Sequence, residues 1–250
     1  MKKIKKELST ILTKEIEEIF SQSNERTLKA NHKNDASIVT EIDLLVSNFL
    51  KKELQDSIEY KNYNFFSEED YEKLTFPAAI VDPIDGTREL AQGRAECAVS
   101  LALMNSKNLK DPLNYAWIYN PFSGFSLDTN ASFVISNNHS IQNLSGMVSR
   151  SEYYKGLFSN IKNSKIHLIP RGSIAFKLGL LASGACDFIV SKNPKNIWDI
   201  AAGTMLANQR GYKFYLDGKE QLDLGLERYN GLLLWCKEIH LEELMTEFQK

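Results

Sequence analysis

The stretch Ala78-Ala79-Ile80-Val81-Asp82-Pro83-Ile84-Asp85-Gly86-Thr87 sets the frame for the chain. Its four leading apolar residues read as a buried strand, and Pro83 ends the regular ladder because proline has no amide hydrogen to donate. The chain is expected to turn there, with Asp82 and Asp85 facing one small volume. Gly86 lets the backbone approach a ligand, and Thr87 starts a helix whose first amides suit an anion such as phosphate. The same residues also read as a plain strand-to-helix turn, with Asp85 and Thr87 as caps.

Upstream, a strand from Tyr63 to Phe66 leads into Ser67-Glu68-Glu69-Asp70. Two helices precede it. The first runs from about residue 3 to 22, with apolar residues at Ile4, Leu8, Ile11, Leu12, Ile16, Ile19 and Phe20 forming one stripe, and with Lys2, Lys3, Lys5 and Lys6 read as its solvated face. The second begins near Thr40, where Thr40-x-x-Asp43 has capping-box spacing. Lys33-Asn34-Asp35-Ala36-Ser37 between them reads as a loop.

Downstream, strands are expected at Ala98–Met104, Tyr115–Tyr119, Gly124–Leu127, Phe133–Ile135 and Met147–Val148, with turns at Asn120-Pro121 and Asn137-Asn138. The second half alternates: strands at Ile166–Ile169, Phe188–Val190, Lys213–Leu216 and Leu232–Trp235, helices at Ser173–Ala182 and Trp198–Asn208, and a short final helix. This pattern indicates a mixed α/β layered fold. Residues 1–250 read as a single unit with approximate halves 1–145 and 146–250.

Composition narrows the function. The 250 residues are 43% hydrophobic and 25% charged, with net charge −2, which fits a globular protein and lacks the basic surface of a nucleic-acid polymer binder. Cys97, Cys186 and Cys236 are isolated, which argues for buried free thiols over a zinc ribbon or disulfide framework. No apolar run approaches the ~18 residues of a membrane span, and no signal-peptide core is present, so a cytoplasmic location without stable membrane association is expected. His32, His139, His167 and His240 show no ligand spacing.

The carboxylates carry the chemistry. Taken singly, Glu68 to Asp70 read as a solvated charge run and Asp199 as a helix-dipole residue. Together, they stand at strand and helix ends that a layered fold can gather. A carboxylate pair ~4 Å apart costs about 4 kcal/mol at an effective dielectric of 20, and a divalent cation removes that cost. Hard oxygen ligands select Mg²⁺, Mn²⁺ or Ca²⁺.

In this order and at these separations, Glu68-Glu69, Asp82-Pro83-Ile84-Asp85-Gly86-Thr87 and Trp198-Asp199-Ile200-Ala201-Ala202-Gly203 resemble the inositol monophosphatase superfamily. Within it, the chain is similar to CysQ-type 3'(2'),5'-bisphosphate nucleotidases at Lys33-x-Asp35-x-Ser37-x-Val39-Thr40-x-x-Asp43 and Ser67-Glu68-Glu69-Asp70. Gly86-Thr87-Arg88-Glu89, Ser149-Arg150-Ser151, Gly172-Ser173 with Lys177, and Asn196-Ile197-Trp198-Asp199 resemble the same branch.

The resemblance implies an αβαβα sandwich and a site with two or three Mg²⁺. Glu68, Asp82, Asp85, Asp199 and the carbonyl of Ile84 would be the metal ligands. Gly86 and Thr87 would hold the phosphate through their amides. Thr87 and Asp43 would orient and deprotonate the attacking water, with Glu68 assisting, and Ser149, Ser173, Lys177 and Asp199 would face the substrate. The implied partner is a small phosphate ester, adenosine 3',5'-bisphosphate, with a role in sulfur assimilation or nucleotide recycling, inhibition by Li⁺ and an open possibility of a homodimer. Inositol 1-phosphate or another sugar phosphate is the alternative substrate. An inactive metal- or nucleotide-binding regulator is the alternative of a different class.

Two departures stand out. Ile38 replaces a proline usual in the first motif, and Ile189-Val190-Ser191-Lys192-Asn193 stands where that branch tends to carry Tyr-Pro-Arg. Lys177, Lys192 and Lys195 are the candidates to restore the missing charge. A haloacid-dehalogenase reading fails on spacing: its two aspartates lie two apart, whereas Asp82 and Asp85 lie three apart.

Overall fold

The computed structural model describes residues 1–22, 30–32, 38–132 and 143–249. Helix α1 (Lys2–Gln22) buries Ile4, Leu8 and Leu12, which a 3.6-residue period brings to one face. Each such side chain contributes about 1.5–3 kcal/mol on burial. The antiparallel pair β1 (Ala30–His32) and β2 (Ile38–Thr40) leads into α2 (Glu41–Gln55), which packs on α1.

A first sheet follows, ordered β3-β4-β5-β6-β7, from β3 (Asn64–Ser67), β4 (Ala78–Asp85), β5 (Ala98–Met104), β6 (Tyr115–Tyr119) and β7 (Ser126–Asp128). Strands β3 and β4 run parallel and the others antiparallel. The five-residue helix α3 (Thr87–Ala91) follows β4.

The second half supplies β8 (Leu144–Ser149), α4 (Arg150–Tyr154), β9 (Ile166–Arg171), α5 (Ile174–Ala182) and β10 (Phe188–Ser191). It continues with β11 (Lys195–Asn196), α6 (Ile197–Gln209), β12 (Lys213–Leu216), β13 (Lys219–Glu220), β14 (Arg228–Tyr229), β15 (Leu233–Cys236) and α7 (Leu241–Phe248). The second sheet has the order β13-β12-β15-β10-β8-β9, and β11 pairs separately with β14.

Three apolar clusters define the layers. One joins α1 and α2 to the first sheet through Leu8, Val46, Val81 and Leu101. The central one places α5 and α6 between the sheets, uniting Phe66, Ile80 and Ala102 with Leu178, Phe214 and Trp235. The third packs α7 on the outer face of the second sheet through Phe188, Val190, Leu244 and Phe248. The architecture is therefore α-β-α-β-α, as the resemblance implies. Helices α5 and α6 approach closely at Gly203, where an added Cβ would stand 2.3 Å from that of Leu178.

Three expectations need correction. Strand β4 does not turn at Pro83 but continues to Asp85, pairing Asp82 with Ser100 and Asp85 with Ala98. Three steps on β4 thus oppose two on β5. Because Pro83 cannot donate, the extra residue is absorbed as a bulge, and the turn falls at Gly86. Lys5 is not on the solvated face: its ammonium reaches across to an ion pair with Asp128 on β7. The strand expected at Gly124–Leu127 starts later, because Gly124 has φ 69° and belongs to the turn. The expected strand Phe133–Ile135, the Asn137-Asn138 turn and the 33–37 part of the first motif lie outside the described residues. All three cysteines are buried and free. Among the described residues no helix is long and apolar enough to cross a membrane.

Candidate active site

Parallel pairing of β3 with β4 sets Ser67 beside Val81, so Glu68 and Asp82 emerge at the same sheet end. The Glu68 amide donates to the carbonyl of Val81 at 3.2 Å, which fixes that alignment. The bulge then returns Asp85 toward Asp82. Across the central layer, Ser100 Oγ donates to the carbonyl of Trp198 at 3.1 Å and fastens the start of α6 to β5. Asp199 follows in the first turn of α6. One carboxylate oxygen from each of Asp82, Asp85 and Asp199 lies within 4.8 Å of the others.

These three acids, with Glu68, Ile84, Gly86, Thr87, Ser149 and Ser173, line a cavity of ≈ 280 Å³. Gly86 adopts φ 97°, and a Cβ there would meet the carbonyl oxygen of Glu96 at 2.8 Å. No other residue fits this turn without strain. Thr87 Oγ1 donates to the Ile84 carbonyl at 3.0 Å.

The acids differ in their surroundings. Asp82 is 1% exposed, and among the described residues no donor reaches either of its carboxylate oxygens. Burial, then the charges of Glu68, Asp85, Asp199 and Asp43, push its carboxyl well above the usual range. Asp85 is also raised by burial, but the Ser173 hydroxyl at 2.6 Å, the Ala175 amide, and the charges of Lys177 and Lys195 oppose the rise. Asp199 is pushed up to about 7 by burial and by the charge of Asp85. Its Oδ2 accepts the Asn196 amide at 2.8 Å, so the carboxylate that stands beside Asp82 and Asp85 also caps the start of α6.

Asp43 is buried on α2, near enough for its charge to act on Asp82. Ser149 lies at the cavity edge, its Oγ 2.9 Å from that of Ser151. Ser173 acts chiefly on Asp85: with φ 51° it caps α5, accepting the Phe176 amide at 3.0 Å while donating to the carboxylate. Lys177 stands behind the cavity wall. It is 2% exposed, its Nζ donates to the Arg171 carbonyl, and burial lowers its ammonium to about 8.

The sequence reading missed a charged network beside the cavity, centred on Glu96. Glu96 accepts from Arg171 Nη1 at 3.0 Å, from the Gly172 amide at 2.7 Å and from Arg150. Burial pushes its carboxyl up, yet these donors hold it below the usual range. Arg150 also approaches Glu89 at 3.4 Å. Arg88 is exposed on the cavity rim and makes no ion pair among the described residues. Arg88, Glu89 and Arg150 sit inside quoted motifs, so their position was a usable signal. Glu96 carried none.

A three-acid cluster with an orphaned buried carboxylate, and Glu68 in the same cavity, fits hard divalent cations, which would provide the missing counter-charge. The sequence pattern of the inositol monophosphatase family matches residues 1–233. The chain belongs to this family. Family members are metal-dependent phosphatases, and the buried acids supply the donor set such chemistry needs.

Among family relatives, fructose-1,6-bisphosphatase/inositol-1-monophosphatase from Thermotoga maritima is 27% identical over 180 residues, 70% of this chain and 69% of that protein. The 3'(2'),5'-bisphosphate nucleotidase CysQ of Aggregatibacter actinomycetemcomitans is 25% identical, over 82% of this chain and 84% of that one. The solved Thermotoga maritima IMPase superposes with a TM-score of 0.75 at 19% identity, covering 100% of this chain and 97% of its own, a likeness of fold.

Proposed function

We propose that this family member uses Mg²⁺ to hydrolyse adenosine 3',5'-bisphosphate to AMP and phosphate. The observation that carries the metal-dependent part is Asp82, whose two oxygens are buried beside other acids with no donor among the described residues. Asp82, Asp85, Asp199, Glu68 and the Ile84 carbonyl would hold two or three ions. Bound Mg²⁺ supplies charge that acidifies a water, neutralises the phosphate and steadies the leaving oxygen.

The protein's own groups do the positioning. Thr87 spends its hydroxyl hydrogen on Ile84, which leaves its oxygen free to accept from the attacking water. Asp43 takes the water's proton, with Glu68 assisting from the cavity. The amides of Gly86 and Thr87 hold the phosphate. Two features support a nucleotide with a second phosphate: Arg88 and Arg150 line the cavity, and CysQ is among the relatives. Ser149 and Ser151 would also suit the hydroxyls of inositol 1-phosphate, which is the second reading.

The test is phosphate release with Mg²⁺ from adenosine 3',5'-bisphosphate, inositol 1-phosphate and fructose 1,6-bisphosphate. A tenfold or greater kcat/KM preference for the nucleotide, about 1.4 kcal/mol of transition-state discrimination, is expected. Preference for inositol 1-phosphate would replace the substrate and keep the site. No release from any, with Mg²⁺ binding intact, would favour an inactive regulator.

A further inference from the structure

Glu152 follows the cavity residues Ser149, Arg150 and Ser151 on α4, yet it is 0% exposed. A buried carboxylate is costly unless it is well bonded. Among the described residues, the partners of its carboxylate come from one distant turn. Ser191 Oγ donates to Oε1 at 2.7 Å, the Asn193 amide reaches the same oxygen at 3.2 Å, and the Lys192 amide donates to Oε2 at 2.9 Å. Lys195 Nζ stands 3.8 Å from Oε1 and donates to the carbonyls of Asn193 and Pro194 at 3.4 Å each.

This turn runs through β11 into the first turn of α6, where the Asn196 amide holds one oxygen of Asp199. One carboxylate thus joins the serine wall of the cavity to the segment that delivers Asp199. It also engages Lys195, whose charge acts on both Asp85 and Asp199. An ammonium released from the turn would be drawn to those acids and would compete there with a divalent cation.

We propose that Glu152 is a positioning residue for the metal site: it fixes the 191–195 turn and retains the Lys195 ammonium there, leaving Asp199 open to a divalent cation. The proposal rests on the metal reading of Asp82, Asp85 and Asp199. It also gives the unusual segment before Trp198 a use, since Ser191, Lys192 and Asn193 supply the donors and Lys195 the restrained charge.

The experiment is calorimetric titration of Mg²⁺ into the full chain, with thermal melts, for wild type, Glu152→Gln, Lys195→Met and the double variant. Groups that orient metal ligands typically cost about 10–100-fold in metal affinity when changed. Glu152→Gln is therefore expected to weaken Mg²⁺ binding at least ~10-fold, and Lys195→Met added to it to recover most of that loss. Unchanged Mg²⁺ affinity with a lowered Tm would make Glu152 a fold staple only and overturn the proposal, as would failure of the second substitution to recover binding. Should Glu152→Gln not fold, Ser191→Ala removes one donor and decides the question: weaker Mg²⁺ binding supports the proposal, unchanged binding overturns it. Wild-type protein that binds no Mg²⁺ would remove the metal reading itself, a different result from failure in the variants alone.

Discussion

Asp82 and Asp85 leave the same bulged strand three residues apart and meet opposite surroundings. Asp82 feels the charges of Glu68, Asp85, Asp199 and Asp43, and among the described residues no donor reaches it. Asp85 receives the Ser173 hydroxyl and the Ala175 amide, and feels Lys177 and Lys195. Every one of those compensating groups comes from the second half of the chain. The first sheet brings the acids together; α5 and the segment before α6 neutralise part of them. What remains at Asp82 is left for a ligand to balance.

Asp82→Asn tests this contrast most severely. Loss of one electrostatic stabiliser costs about 10²–10³-fold in turnover, so kcat at saturating Mg²⁺ should fall at least ~10²-fold. The metal-free Tm should rise, because an amide carries no cost of burying an ionisable acid among other acids. Asp85→Asn should lose turnover as well but raise the metal-free Tm less, since its two donors lose a charged acceptor. Equal Tm shifts in the two variants would abolish the contrast, and near-normal turnover in either would sink the site assignment.

A pH series sharpens it next. An exposed aspartate titrates near ~3.9 in the unfolded chain, whereas Asp199 is pushed up to about 7 in the fold. Across that window the folded state holds a proton the unfolded state has lost, so stability falls as pH rises. Metal-free Tm should therefore decline from pH 5 to pH 8, and the Tm gain from Mg²⁺ should grow over the same interval. A gain independent of pH would contradict the origin given for the raised carboxyls.

The smallest effect is expected at Ser173→Ala, on the compensated side. Losing the cap of α5 costs about 1 kcal/mol. In a protein of this size that is ~2–4 °C in Tm, readable by calorimetry. An unchanged Tm would show that the strained Ser173 backbone contributes more than its hydroxyl does.

Much of the first-sheet side was legible in sequence because its signals are local. Pro83 and Gly86 punctuate an apolar run, so Asp82 and Asp85 could be read from ten consecutive residues. Alone, Asp199 was ambiguous, since an acid in the first turn of a helix serves the dipole equally well; the ordered motifs tipped the reading toward the site. The bulge was misread as a turn because a proline reports only that a ladder hydrogen bond is missing. Glu96 and Glu152 were invisible for a different reason. Their burial depends on Arg171 and Gly172 in one case and on residues 191–195 in the other, each far along the chain. Lys5 shows the same limit: nothing near it in sequence announces Asp128.

The close approach at Gly203 gives the motif Trp198-Asp199-Ile200-Ala201-Ala202-Gly203 a meaning beyond its aspartate. Ser173 and Asp199 sit at the heads of two helices that touch where one of them has no side chain. That bare backbone works as a spacer of fixed thickness: a single added methyl would wedge the helices apart and misalign both heads together. The tolerance of the site geometry is thus set more than a turn away from the acids, by an atom that is not there.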